Sequence, residues 1–321
     1  MQNILVLGSE GYLGSVLIPQ LKKGEFNIVG VDRCFFGKHN KNSRNVKILK
    51  TDYSKLKKPF FKKFELIIDL VNISNDPASE LNQKFTKKVN FEDKVKLYKK
   101  IEGLSNIKKY IYMSSCSVYG FNKHIITERT KPRPISLYSK LCLKYEKFLK
   151  NKSKINYTIL RLGTLYGWSK RMRYDIAINK IIRDMIFNRK IEILGGEQLR
   201  FFCYNKFACQ IIQKIIIEKD KKYLNKVLNI GVFNTNIINL TKKIIKVTNQ
   251  NKVNLYHEKH NIDNRSYEVS LSTVKKNFKK QKFDQYVVNS IRDTYKMILK
   301  DKKPFDKNKV TLNVYKDFLK K

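Results

Sequence analysis

Three glycines at a fixed spacing and one carboxylate downstream are the residues of this 321-residue chain best suited to gripping a phosphorylated ligand. They are Gly8, Gly11 and Gly14 of Gly8-Ser9-Glu10-Gly11-Tyr12-Leu13-Gly14, followed by Asp32. Gly8 permits a tight turn, Gly11 lets the main chain approach a pyrophosphate, and Gly14 allows close helix-to-strand packing while the helix N-terminus faces the phosphates. Tyr12 and Leu13, inside the turn, count among the cofactor-binding residues. Asp32 stands eighteen residues after Gly14, where a carboxylate can take both hydroxyls of an adenosine ribose. Such a carboxylate repels a 2′-phosphate, so the pattern favours NAD over NADP. Arg33, beside it, keeps NADP open and is counted with the cofactor-binding residues.

The elements that must hold these groups are legible in the apolar runs. Asn3 to Leu7 is a strand, the segment to Lys23 an amphipathic helix, and Asn27 to Val31 a second strand ending at Asp32. Val46 to Leu49 leads to Asp52, which would lie near the adenine, and Leu66 to Leu70 leads into Val71-Asn72-Ile73, with Leu70 on the cofactor side. Alternating strands and helices predict an α/β fold: a Rossmann-type doubly wound parallel sheet with its ligand at the carboxyl ends of the strands. The expected division is an NAD-binding domain over 1–167 with a returning segment at about 207–231. A smaller C-terminal substrate-binding region would take 168–206 and 232–321.

Beyond the fourth strand the motifs become more specific. They are Ser74-Asn75-Asp76-Pro77, Val89-Asn90, Ser114-Ser115-Cys116-Ser117-Val118-Tyr119-Gly120, Thr127-Glu128 ahead of a helix carrying Tyr138, and Leu160-Arg161-Leu162-Gly163-Thr164-Leu165-Tyr166-Gly167. Arg171-Met172-Arg173-Tyr174-Asp175 and Asp263-Asn264-Arg265-Ser266-Tyr267 follow. Over nearly its whole length the chain resembles the NAD-dependent epimerase/dehydratase family, the extended short-chain dehydrogenases that act on nucleotide sugars. The resemblance implies that Ser115 hydrogen-bonds the reacting sugar hydroxyl, that Tyr138 is the general acid/base, and that Asn90 sits under the cofactor. It puts Ser117 and Thr164 on the substrate side, and matches Arg200 and Arg265 to positions that often hold the nucleotide diphosphate. Each arginine is equally readable as a surface charge. The implied chemistry is removal of a proton from a sugar C4 hydroxyl by Tyr138 while hydride passes to the nicotinamide. The family also implies a homodimer, formed by helices around Gln83 to Glu102 and Ser136 to Lys150. Val89, Val95, Leu97 and Ile101 have the helical spacing such a face needs, although a core face has the same pattern.

One departure bears on the chemistry. Tyrosine is a poor base, with an ordinary pKa of about 10, and the family normally sets a lysine four residues later to stabilise the phenolate. Here the fourth residue after Tyr138 is Cys142. Lys140 and Lys144 point to the opposite side of the helix at 100° per residue. Glu128 and Glu146 keep the family spacing around Tyr138, which argues against a shifted register. Three readings stay open: an enzyme with a tyrosine of raised pKa or a lysine borrowed from elsewhere, a specialised reductase, or a scaffold kept for binding alone. A second departure is Arg200-Phe201-Phe202-Cys203-Tyr204-Asn205-Lys206, which lacks the family's Asp and is a residue short.

The residues after Ser115 narrow the reaction. Dehydratases of the family place an Asp-Glu pair there, whereas this chain has Cys116 and Ser117. The carbon-bound proton abstraction of 3,5-epimerising relatives needs a cysteine at the position of Ser117, and Cys116, one residue off on a strand end, should face the other way. Epimerisation at one carbon, C4 first among them, is the leading expectation, with one-way dehydrogenation or ketone reduction behind it.

Bulk composition sets outer limits. The net charge is +41, from 68 Lys plus Arg against 27 Asp plus Glu, which raises nucleic acid or an anionic membrane as partners. The lysines are spread along the chain beside abundant Ile and Asn, as A/T-rich codon usage produces, and stretches such as Lys55 to Lys63 match no RNA-binding signature. The expected partner is therefore a nucleotide-diphosphate sugar rather than a nucleic acid. Five cysteines form no Cys-x-x-Cys pair or zinc-like set, so no metal is expected. No apolar run reaches membrane-spanning length and a strand begins within three residues, so a cytoplasmic enzyme is expected.

Overall fold

Short apolar runs bounded by turn residues become strands when neighbouring runs can pair with them, and here they do so in parallel. The computed structural model describes residues 1–218, 221–258, 266–277 and 282–319. In chain order its first half contains β1 (Gln2–Leu7), α1 (Gly14–Leu21), β2 (Phe26–Asp32), β3 (Val46–Lys50), α2 (Lys58–Phe61), β4 (Leu66–Asp69), α3 (Asp76–Glu80), α4 (Gln83–Lys87), α5 (Asp93–Ile101), β5 (Lys109–Ser115), α6 (Leu137–Lys152) and β6 (Tyr157–Leu162). The second half contains β7 (Thr164–Tyr166), α7 (Ala177–Phe187), β8 (Lys190–Leu194), β9 (Leu199–Tyr204), α8 (Asn205–Ile217), β10 (Lys226–Ile230), β11 (Phe233–Asn236), α9 (Ile237–Thr248), β12 (Asn254–Glu258), α10 (Ser272–Asn277), α11 (Phe283–Leu299) and α12 (Thr311–Leu319).

Seven strands form one sheet in the order β10-β6-β5-β4-β1-β2-β3, and every pairing in it is parallel. Strands buried on both faces must be apolar at successive positions. In β1, Ile4 and Val6 enter one core with Leu17 and Ile18 of α1, while Leu5 and Leu7 enter the other with Leu97 of α5 and Tyr145 of α6. The order of strands reverses between β1 and β4, which leaves a crevice outside their carboxyl ends. The expected doubly wound sheet is therefore present.

The later chain builds a smaller second layer. Strands β11, β9 and β7 form a three-stranded sheet, and β12 pairs with β8. The segment through α8 returns to the main sheet, where β10 runs parallel to β6.

Two features shape the surroundings of the crevice. The stretch expected as one helix near Gln83 to Glu102 is interrupted by a π-helical turn, Lys88–Glu92, between α4 and α5. Asn90 in that turn is fully buried and bridges the main chain of Ile73, accepting from its N–H at 2.8 Å and donating to its carbonyl at 3.2 Å. At the far end of the chain, α12 comes back over the first half of the molecule. Tyr315 packs edge-on against Phe36 and Phe35, and Phe318 lies 4.3 Å from the Phe35 ring. Among the described residues no helix is long and apolar enough to cross a membrane.

Candidate active site

The glycine turn opens the crevice at β1. Gly8 has φ +79°, a left-handed conformation that favours glycine. A side chain at Gly14 would strike the Gly8 carbonyl oxygen at 2.3 Å, so the first turn of α1 sits directly on the loop. A Cβ at Gly11 would meet only that same oxygen, at 3.3 Å. Main chain at Gly11 is thus bare toward the cleft, and the N–H groups at the start of α1 have room for an anion.

Two connected hollows extend from this turn. The first is lined by Gly8, Gly11, Asp32, Arg33, Asp52, Leu70, Phe35 and Tyr315, among others. Asp32 ends β2 there, its two oxygens accepting from the Glu10 N–H at 3.0 Å and the Cys34 N–H at 2.6 Å. Burial raises its pKa against the pull of those two donors. Arg33 reaches Asp52 at 3.7 Å and stacks on Phe35 at 4.5 Å, with Phe85 and Phe318 at 5.5 and 5.8 Å. Burial acts to raise the Asp52 pKa, and the Ser54 donors and the Arg33 charge more than offset it.

The second hollow, open to solvent on one side, has a cavity volume of about 240 Å³. Gly8, Gly11, Tyr12, Leu13, Gly14 and Leu70 meet Ser115, Tyr138 and Thr164 around it. Ser115 is delivered by the end of β5 and Tyr138 by the first turn of α6, which Ser136 caps by accepting from the Ser139 N–H at 3.3 Å. The Ser115 hydroxyl accepts from the Ser117 N–H at 3.1 Å and from its hydroxyl at 2.9 Å. Ser117 does not itself line the hollow. Burial pushes the Tyr138 phenol well above its ordinary pKa, the Cys142 thiol adds to that, and Ser115 works against it.

Cys142 lies one helical turn on, fully buried against Tyr138 and Tyr112. Burial pushes its thiol up to about 12 although both tyrosines pull it down, so the group is neutral at physiological pH. It brings no charge to the phenol. Lys140 and Lys144 are exposed on the far side of α6, Lys144 over the Phe91 ring at 4.3 Å. Cys116 faces away from the cleft and donates its thiol hydrogen to the Arg161 carbonyl at 3.2 Å.

Other sequence candidates are placed elsewhere. Asn90 acts on the loop after β4 through Ile73 and is not part of the cleft wall. Arg200 sits on β9 outside the wall and donates to the Leu199 carbonyl at 3.0 Å. Arg265 lies outside the described residues. Where the sequence lacks the family's Asp, β9 runs directly into α8, and the Asn205 amide donates to the Trp168 carbonyl at 2.8 Å.

Several groups escaped the sequence reading. Lys94 and Asp69, both fully buried, form an ion pair at 2.6 Å, and the Tyr110 hydroxyl donates to the same carboxylate oxygen at 2.7 Å. The Lys94 ammonium lies 5.1 Å from the Tyr112 ring centre and its charge reaches Cys142, but Lys94 is absent from the cleft wall. A signal existed: Lys94 shares the helical spacing of Leu97, Tyr98 and Ile101, an apolar face on which a charge needs a buried partner. Arg171, Arg173, Ser74, Asn75 and Thr311 also line the second hollow. Arg173 and Asp175 pair at 2.6 Å, and the Asn75 amide donates to the same carboxylate at 3.0 Å. Burial acts to raise the Asp175 pKa, and Arg173 overrides it, holding the carboxyl down to about 2.

Known proteins share this fold. The sequence model of the NAD dependent epimerase/dehydratase family matches residues 4–231. The uncharacterized UDP-glucose epimerase YtcB of Bacillus subtilis is 29% identical over 219 residues, 63% of this chain and 68% of that protein. UDP-glucose 4-epimerase of Thermotoga maritima, solved with UDP-glucose, superposes with a TM-score of 0.78 at 23% identity, covering 92% of this chain and 98% of that one. UDP-glucuronic acid 4-epimerase of Bacillus cereus, solved with UDP-glucuronic acid and NAD, gives 0.79 at 20% identity, with 92% and 99% covered. At these identities the two structures speak for the fold.

Proposed function

The chain belongs to the NAD dependent epimerase/dehydratase family, and from that premise we propose that it is an NAD-dependent nucleotide-sugar epimerase acting at sugar C4 through transient oxidation. The observation that carries the reading is the meeting of Ser115 and Tyr138 with the glycine turn around one cleft. A hydroxyl pair opposite a phosphate-binding turn suits proton transfer at a carbinol carbon next to a dinucleotide.

The residues fit that dinucleotide. Gly11 leaves main chain bare for a diphosphate, Gly8 and Gly14 let the turn and the start of α1 pack closely enough to present it, and Asp32 offers lone pairs to a ribose beside its two main-chain donors. Arg33 pairs with Asp52 at 3.7 Å and stacks on aromatic rings, which supports NAD over NADP because a 2′-phosphate would have to compete with that carboxylate. When bound, the nicotinamide supplies a two-electron acceptor that also returns hydrogen to the same carbon. The chain supplies the rest. Tyr138 removes the hydroxyl proton and later gives it back, Ser115 holds the reacting oxygen by hydrogen bonding, and Thr164 lies on the substrate side of the wall. The absence of a carboxylate pair after Ser115 supports inversion over dehydration.

A second reading, a scaffold that binds without turnover, is favoured by one observation: Cys142 is neutral and buried where a cation would lower the Tyr138 pKa. Titration with NAD and NADP, then incubation with a panel of nucleotide sugars and chromatography of the products, separates the two. The enzyme reading expects tighter NAD binding, a C4-inverted product, and a loss of about 10² to 10⁴ in turnover for Tyr138→Phe. NAD binding with no product from any sugar would favour the scaffold, and tighter NADP binding would contradict the role given to Asp32.

A further inference from the structure

Arg171 stands on the cleft wall with 4% of its surface exposed, and its Nε and Nη1 have no hydrogen-bond partner among the described residues. Its remaining nitrogen, Nη2, donates to the Thr311 hydroxyl of α12 at 2.9 Å, and the guanidinium carbon lies 3.7 Å from the Phe36 ring centre. Its own main-chain N–H reaches the Ser15 hydroxyl, in the first turn of α1, at 3.5 Å. The side chain is therefore held firmly yet left with unsatisfied donors.

That arrangement is costly in a protein that binds nothing there. A guanidinium buried without a direct counter-charge gives up hydration that nothing replaces. The nearby carboxylate, Asp175, is committed to Arg173 at 2.6 Å. Burial, aided by the Arg173 charge, pulls the Arg171 pKa down to about 9, as expected for a cation lacking a direct anionic partner.

Location narrows the missing partner. The Arg171 charge is felt at Asp32, the ribose end of the cleft, and Arg171 itself lines the second hollow with Gly11, Tyr12 and Tyr138. Arg171, the turn at the start of α1 and Tyr138 line one hollow, which adjoins the hollow of Asp32 through Gly8, Gly11 and Leu70. The chemical group suited to both sides is a doubly anionic diphosphate, which takes main-chain N–H groups from a helix N-terminus and charge-assisted bonds from an arginine.

We propose that Arg171 is a diphosphate receptor, donating from Nε and Nη1 to a diphosphate laid across the start of α1, with Thr311 and Phe36 as the groups that position it. The proposal rests on the reading that this cleft takes a dinucleotide. A nucleotide sugar carries the same group, so the test has separate arms for the two sources. Through Thr311, the last helix α12 becomes part of the machinery that retains the ligand.

Calorimetric titration of wild type, Arg171→Met and Arg171→Lys with NAD, ADP-ribose and UDP, together with thermal unfolding of each ligand-free protein, decides the matter. Arg171→Met should weaken NAD and ADP-ribose by about 10- to 100-fold, the worth of charge-assisted bonds, and leave UDP within about twofold. It should also raise the ligand-free melting temperature, because an unsatisfied buried charge is gone. Arg171→Lys should fall between the two. A loss confined to UDP would uphold the receptor and assign it to the nucleotide sugar. Unchanged affinity for all three ligands would overturn the proposal, as would a ligand-free Arg171→Met protein that melts lower and weakens UDP as much as NAD, the signature of a packing role. A wild-type protein that takes none of the three would overturn the functional reading together with this one.

Discussion

Tyr138 must ionise beside a neutral thiol, and that fixes how its rate should depend on pH. A phenol whose pKa is raised is protonated over a wider range, so the base form gains population only as pH climbs, and turnover should rise into the alkaline region. Placing a cation at the neighbouring position reverses the sign. Cys142→Lys should move the optimum down by about one to three pH units, the usual effect of an opposite charge within a few ångströms. A pH–rate profile of both proteins checks this, and an optimum at neutral pH that Cys142→Lys leaves unmoved would contradict it. The missing lysine is legible in the sequence because helical periodicity ties position 142 to Tyr138 regardless of the rest of the fold. Arg171 and Arg173 stand in a recognisable motif but carry no role there, since only the folded chain shows that Arg173 has Asp175 and that Arg171 lacks a direct counter-charge among the described residues.

At the scale of elements, the strands that carry Asp32 and Ser115 are readable because buried parallel strands need continuous apolar runs, which stand out in a lysine-rich chain. The π-helical turn at Lys88–Glu92 is not, because it adds one residue per turn without a composition of its own. Nor is the return of α12, whose Tyr315 and Phe318 reach their partners Phe35 and Phe36 across most of the sequence. The Lys94–Asp69 pair joins α5 to β4 under the same rule: each half looks like an isolated charge until the sheet and helix meet. Breaking it should be expensive. Lys94→Met leaves Asp69 buried and uncompensated and should cost about 3–5 kcal/mol in urea unfolding. Adding Asp69→Asn, which removes the stranded charge, should recover much of that loss. Two costs that simply add would show that the residues do not act as a pair.

For the whole molecule, the positive charge and the proposed dimer oppose each other. The outer faces of α4, the π-helical turn, α5 and α6 carry exposed Lys87, Lys96, Lys99, Lys140, Lys144 and Lys147 beside half-buried Phe91, Val95 and Leu143, while Leu97 and Ile101 are already spent in the core. Pairing two such faces across a twofold axis brings like charges together. The proposed homodimer should therefore strengthen as salt screens them, and light scattering at low and high ionic strength should show the monomer fraction falling as salt rises. A monomer at every salt concentration would remove the dimer. In the cleft itself, oxidation and its reversal at one carbon leave a distinct mark. A nucleotide sugar carrying deuterium at C4, incubated with the protein and catalytic NAD, should yield the C4-inverted sugar with its deuterium retained, and Tyr138→Phe should slow that conversion severely. Inverted product that has lost the label to solvent, or inversion that survives unchanged in Tyr138→Phe, would contradict the account.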